Sequence, residues 1–261
     1  MFWRISERNF YALRIPLESG RQSPQSLGGT LFLGIFMQAL FFYLIYSQVD
    51  SSHYPNIDHI YTIHLRITIS LIFLSFIYSI PYVYRRSQRI QYLISILSIQ
   101  NAGAACMFIG AMIYIGEDPS LTEEALMNFT YITLAAALLL LVVTVIRFYI
   151  LLVNGNYRKG SPRVQIRARF EIKTHLPIVI VGSTILIYIL QFLLRNGQIQ
   201  SLESLFLTLL PLLIFYTMIF VLPEQLVILY CKYRFKSFNF NERGYLYSSE
   251  GTKDQSSEIN M

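Results

Sequence analysis

Charge is scarce: only 14% of the 261 residues are Asp, Glu, Lys or Arg, where an ordinary soluble domain carries about 25%. That scarcity, with 54% hydrophobic residues and a mean hydropathy of +0.47, excludes a chain whose surface is built for water. Cysteine is nearly absent as well. Cys106 and Cys231 are the two in the chain, one inside an apolar run and one just past another, so no disulfide framework is expected. Catalytic signatures are missing too: there is no G-x-x-x-x-G-K-[ST], H-E-x-x-H, G-x-S-x-G or C-x-x-C, which removes the common phosphate-loop, zinc-hydrolase, serine-hydrolase and dithiol chemistries. The expectation is a protein that is not an enzyme and holds no cofactor.

What is abundant is long apolar stretches. Runs of about 20 residues suit roughly 30 Å of hydrocarbon, and six are found, near 27 to 47, 60 to 83, 90 to 115, 127 to 153, 175 to 194 and 204 to 230. The first comes after four arginines and has no small-residue cleavage site behind it, a layout unlike that of a removable signal peptide. The expected fold class is an all-α polytopic membrane protein of six transmembrane helices. Residues 1–26 form its N-terminal segment, 27–231 its membrane domain with a basic loop at 154–174, and 232–261 a tail disordered at its end. No internal repeat joins the two halves.

Basic residues give the chain a direction. Lys and Arg gather in cytoplasmic links, and eighteen of the 21 lie before the first run, between the second and third, between the fourth and fifth, or after the sixth. The opposite links hold Arg195 and seven acids, Asp50, Asp58, Glu117, Asp118, Glu123, Glu124 and Glu203. Both termini are therefore expected in the cytoplasm and the protein in the cell membrane. The net charge of +6 reads as orientation and contact with anionic headgroups, with no nucleic-acid partner.

The longest basic link contains an unbroken alternation from Val164 to Lys173, which predicts a strand with Arg167, Arg169 and Lys173 on its polar face beside Arg163. The alternation of Tyr11, Leu13 and Ile15, and the Phe-rich YRFKSFNFN after the sixth run, supply the other strands of an expected small cytoplasmic hairpin or sheet. An irregular polybasic loop is the competing reading, and an interfacial helix competes for the first segment.

Ionisable and polar residues inside the runs are the best pointers to function, because burying them in hydrocarbon is costly. Arg147 and Glu224 lie at matching depths and form a candidate ion pair, although each also reaches the interface alone. His64 and Arg66 form a candidate polar site in the outer leaflet, with Arg66 either pairing with Asp58 or extending its head to the interface. His53, His59 and His64 cluster near the outer face but match no metal-ligand spacing, so no metal is expected. Asn101, Gly103 and Gly110 suit close helix packing. Two function classes remain. A non-catalytic protein acting through protein contacts, as scaffold, assembly factor, regulator or immunity protein, has a membrane protein as its partner. A transporter or channel subunit needs a polar path, for which Gln100, Asn101 and Gln191 are the available lining.

Overall fold

The structure, a computed structural model, describes residues 5–162, 165, 200–241 and 243–248. A 3-10 helix over Glu7–Arg14 runs into α1 (Ile15–Glu18). Then come α2 (Pro24–Tyr46), α3 (Ile57–Ser79), α4 (Pro81–Arg86) and α5 (Gln88–Gln100). A π turn over Asn101–Ala105 joins α5 to α6 (Cys106–Ile115), and after it come α7 (Glu123–Val153) and α8 (Gln200–Arg234). Among the described residues, five stretches are long and apolar enough to cross a membrane: Pro24–Ser51, Ile57–Ser79, Gln88–Ile115, Glu123–Val153 and Thr208–Arg234. The run at 175–194 lies outside the described residues, as does the alternating stretch apart from Gln165.

Local chemistry fixes the helix boundaries. Ser23 caps α2 by accepting from the Ser26 N–H at 3.2 Å, ahead of Pro24 at the first helical position. Pro81 ends α3, since it lacks a donor and pushes the preceding residue out of the helical region; Ile80 accordingly has ψ 127°. Thr122 accepts from Ala125 N–H at 3.3 Å, and Glu123 and Glu124 occupy the first turn of α7, where carboxylates complement the helix dipole.

The bundle is centred on Gln88–Ile115, whose most apolar window is 44% buried against 17 to 22% for the other four spans. α2 and α3 pack along each other and against α5; α8 packs on α5, the π turn, α6 and α7. Burial is inverted relative to a soluble protein. Phe32, Leu33, Phe36, Leu138, Leu139 and Ile146 are exposed, whereas Gln38, His64, Thr68, Ser75, Gln91 and Asn101 are buried. Apolar surface on that scale needs a non-aqueous neighbour, which supports an integral membrane protein.

The N-terminal segment is helical, which corrects the expected strand. Phe10, Leu13 and Leu17 are fully buried, while Tyr11 and Ile15 are only half-buried; spacing of three and four is a helical stripe, and it overrides the short alternation. After Arg234 the chain takes a 3-10 turn at Lys236–Phe238 and then forms one antiparallel bridge, Phe240 to Leu246. The described residues contain no strand beyond that bridge. Residues 243–248, expected at the start of a disordered tail, fold back: Tyr247 N–H donates to Asn239 O at 3.1 Å, and Arg14 Nη2 donates to Tyr247 O at 3.2 Å.

Candidate functional site

A polar seam runs between α2, α3, α5 and α6. On α3 the buried residues are His64, Thr68, Leu71 and Ser75, spaced by four, three and four, which places all of them on one face. That face meets α5, where Ser75 and Ser98 share a hydroxyl hydrogen bond of 2.9 Å. One turn further along, Asn101 Nδ2 donates to Thr68 Oγ1 at 3.1 Å and to Gln38 Oε1 of α2 at 3.3 Å. A single amide thereby ties three helices together. At the basic end of the seam, Gln91 Nε2 donates to the Pro24 carbonyl at 2.8 Å and to that of Tyr78 at 3.1 Å. Gln38 Nε2 and Gln91 Oε1 are buried with no described hydrogen-bond partner.

The π turn sets where Cys106 points relative to Asn101. At 3.6 residues per turn, five residues would leave Cys106 about 140° from Asn101 around the helix. The wider turn closes most of that angle, and both residues end up inside, Asn101 at 5% exposure and Cys106 at 0%. Cys106 Sγ lies 3.7 Å from His64 Nε2. The other ring nitrogen, Nδ1, is 3.0 Å from the Tyr46 hydroxyl, and the Phe42 ring flanks the imidazole at 5.3 Å between centroids.

The structure separates some residues that the sequence grouped. His64 is buried and Arg66, two positions on, is exposed on the other side of α3, so they do not form one site. His53 and His59 are exposed as well, and among the described residues no group of three or more His, Cys, Asp and Glu gathers. Arg147 and Glu224 do line one cavity of about 390 Å³ between α7 and α8, with Thr144, Phe148, Phe220 and Pro223. There the Arg147 guanidinium sits 5.9 Å from the Phe220 ring centre; in the N-terminal segment, Arg14 pairs with Glu18 at 3.5 Å. At Gly103 a Cβ would stand 3.0 to 3.1 Å from three side-chain atoms of Met218. Gly110 faces Ile45 at an ordinary 3.5 Å. Arg163, Arg167, Arg169 and Lys173 lie outside the described residues.

At the basic end sits a second feature, an aromatic cap made by the N-terminal segment and the tail. Phe10, Leu13, Leu17, Leu152, Ile228 and Phe238 form its core. Lys232 is enclosed in it at 1% exposure: Nζ donates to Phe238 O at 3.1 Å and lies 5.2 Å from the Tyr92 ring centre and 5.6 Å from that of Phe240. Carbonyl and aromatic faces are the groups that compensate a buried cation. Gln88 bonds both backbone groups of Phe240, donating to its O at 2.8 Å and accepting from its N–H at 2.9 Å.

Sequence reasoning missed Gln38, Thr68, Ser75, Ser98 and the pairing of His64 with Cys106. One signal was present, the 64, 68, 75 spacing of polar residues along a single helical face. Compared with known proteins, the chain matches no family model, no curated protein and no solved structure.

Proposed function

We propose that this chain is a non-catalytic integral membrane protein that acts through protein contacts, as a scaffold, assembly factor, regulator or immunity-type protein. It crosses the cell membrane six times with both termini in the cytoplasm, and Arg163, Arg167, Arg169 and Lys173 meet anionic headgroups there. The observation that carries this reading is the use made of the mid-membrane polar groups. Gln100 turns toward α8, where Nε2 donates to Met218 O at 3.2 Å, while Asn101 turns the other way into α2 and α3. The two amides hold helices together on opposite sides instead of lining one path, and a conducting pore needs such a lining. The exposed apolar faces of α2 and α7 offer a membrane partner extensive contact.

Cross-linking and then purification in a mild detergent tests this. A single membrane protein recovered in stoichiometric amount, and lost when exposed residues of α7 such as Leu138 and Leu139 become Trp, is the expected result. Substrate-dependent flux in proteoliposomes overturns it in favour of transport. A reporter fused after Met261 is expected to be active in the cytosol.

A further inference from the structure

We infer that Ser248 is a phosphorylation site and that Arg14 is the receptor for its phosphate, which fastens the tail onto the N-terminal segment. The inference rests on the reading that the tail lies in the cytoplasm, where nucleoside triphosphates are present. It goes beyond that reading by naming a modification and the residue that receives it.

Arg14 is the group that asks for an anion. Its guanidinium carries five N–H donors and its side chain is 6% exposed. Nη2 donates to Tyr247 O at 3.2 Å, but Nε and Nη1 are buried with no described hydrogen-bond partner. Glu18 stands 3.5 Å from Nε as an ion pair, on a side chain that is 40% exposed and so able to turn out to water. A buried cation with unused donors is costly, and phosphate oxygens fit the guanidinium fork in both geometry and charge.

The chain after Arg234 carries Ser248 to that fork. Asn241 N–H donates to Tyr245 O at 2.8 Å, Gly244 N–H donates to Asn241 O at 2.9 Å, and Tyr247 N–H donates to Asn239 O at 3.1 Å. Gly244 makes the turn possible with φ +84°. Tyr247 is thereby held from two sides, its carbonyl on Arg14 and its ring centre 4.7 Å from Lys236 Nζ. Ser248 follows directly, one Cα step of about 3.8 Å further on, exposed and outside any helix, where a transferring enzyme reaches it. Lys236 and Arg243, both exposed, add positive charge to the same stretch.

The transfer balances with a nucleoside triphosphate as donor. Ser248 Oγ bonds to the γ-phosphorus, the bond from that phosphorus to the β–γ bridging oxygen breaks, the hydroxyl proton passes to a base of the transferring enzyme, and nucleoside diphosphate leaves. The product brings about −1.5 to −2 charges and three acceptor oxygens, which meet the unused N–H groups of Arg14 and the ammonium of Lys236.

The test compares the full chain with and without phosphoserine encoded at position 248, in one detergent. Hydrogen exchange of the Tyr247 N–H is expected to slow about tenfold, the effect of one charge-assisted hydrogen bond, and the phosphorus resonance to titrate below the range of free phosphoserine. Both effects are expected to vanish in Arg14→Gln and to return in part in Arg14→Lys, which keeps the charge without the fork. Slow exchange of the Ala12 N–H, which donates to Tyr157 O at 2.9 Å, shows that the cap is folded in each variant; if Arg14→Gln fails that control, the wild-type phosphorus titration and Arg14→Lys decide. The receptor is overturned if the wild-type phosphate titrates as free phosphoserine, or if a folded Arg14→Gln keeps both effects. It is also overturned if inorganic phosphate or anionic vesicles slow the unmodified chain equally, which would make the anion a free ion or a lipid headgroup. Mass spectrometry of the chain from its own cells is expected to find phosphate at Ser248 and none there in Ser248→Ala. An unphosphorylated chain whose Met261 reporter is active in the cytosol overturns the modification alone, whereas a reporter active on the other side overturns the topology and the modification with it.

Discussion

In the cap at the basic end, Phe10, Leu13, Leu17 and Phe238 are sealed inside, and polar contacts such as Arg158 Nε to Asn9 Oδ1 at 2.7 Å hold its rim. In the seam a few helical turns away, Asn101, Gln38 and the Ser75–Ser98 pair are inside, while Phe36 and Leu139 face out. One chain thus uses both ways of making an interior. Water expels apolar groups, so a region that water reaches is held by hydrophobic burial. Lipid does not expel them, so helices that share hydrocarbon are held by close packing and by hydrogen bonds hidden from the tails. The contrast is the one that a cap meeting water and a seam meeting hydrocarbon would produce.

The sharpest way to break this comparison is to remove the same side chain from both regions. Phe10→Ala empties a fully buried position in the cap and is expected to cost about 3 to 5 kcal/mol. Phe36→Ala removes a ring that is 60% exposed and faces lipid in the folded state as well as in separated helices, so its effect on stability is expected to be close to zero. Thermal unfolding in a fixed detergent, with proteolysis of the tail after Leu246 as a second readout for Phe10→Ala, measures both. Equal losses would mean that the two regions share one solvent.

A smaller effect is expected where the π turn and α8 touch. In Gly103→Ala the new methyl meets Met218 at about 3 Å, and overpacking of this kind costs about 1 to 3 kcal/mol. Gly29→Ala, at a position with no neighbour within 4 Å, is expected to leave stability unchanged or raise it slightly. Adding Met218→Ala to Gly103→Ala should recover much of the loss if the clash is its cause, as a double-mutant cycle will show.

The helices were legible because length and apolarity identify a span without reference to its neighbours, and because Pro81, Ser23 and Thr122 mark ends through local chemistry alone. Asn101 and Gly103 stood out for a related reason: small and amide-bearing residues in an apolar run suit close helix contact. The seam was not. Around α3 the outward residues are as apolar as the inward ones, so hydrophobic periodicity does not point to a buried face, and only His64, Thr68 and Ser75 show it. The partner of Asn101 is 63 residues away in Gln38, and the π turn rotates Cys106 to a face that a regular helix would not give it. The cap was misread for a similar reason: Arg14 and Tyr247 are separated by 233 positions, and the short alternation at Tyr11, Leu13 and Ile15 resembled a strand until its tertiary partners chose the helical stripe.

Within the seam, Asn101 is expected to matter more than any other single polar group. Asn101→Ala removes two hydrogen bonds and leaves Gln38, which is 1% exposed, with neither amide atom bonded. The expected cost is about 1 to 2 kcal/mol, and the double variant with Gln38→Leu should be more stable than Asn101→Ala alone. Loss of less than about 0.5 kcal/mol would show that unfolded-state partners replace these bonds.

The smallest effect is also the most direct measure of what a hidden hydroxyl contributes here. Ser75 and Ser98 are buried at 0% and 5% exposure and bond to each other at 2.9 Å. In membrane interiors such pairs average about 0.6 kcal/mol in coupling energy, because a hydroxyl on a separated helix turns back to its own backbone carbonyl, as Thr144 does to Leu140 O at 2.8 Å. The cycle Ser75→Ala, Ser98→Ala and the double variant is therefore expected to return a coupling of about 0.6 kcal/mol, with the double variant close in stability to either single one. A coupling above about 2 kcal/mol would mean that neither serine finds its own carbonyl once the helices part; a coupling of zero would mean that shape alone aligns α3 with α5.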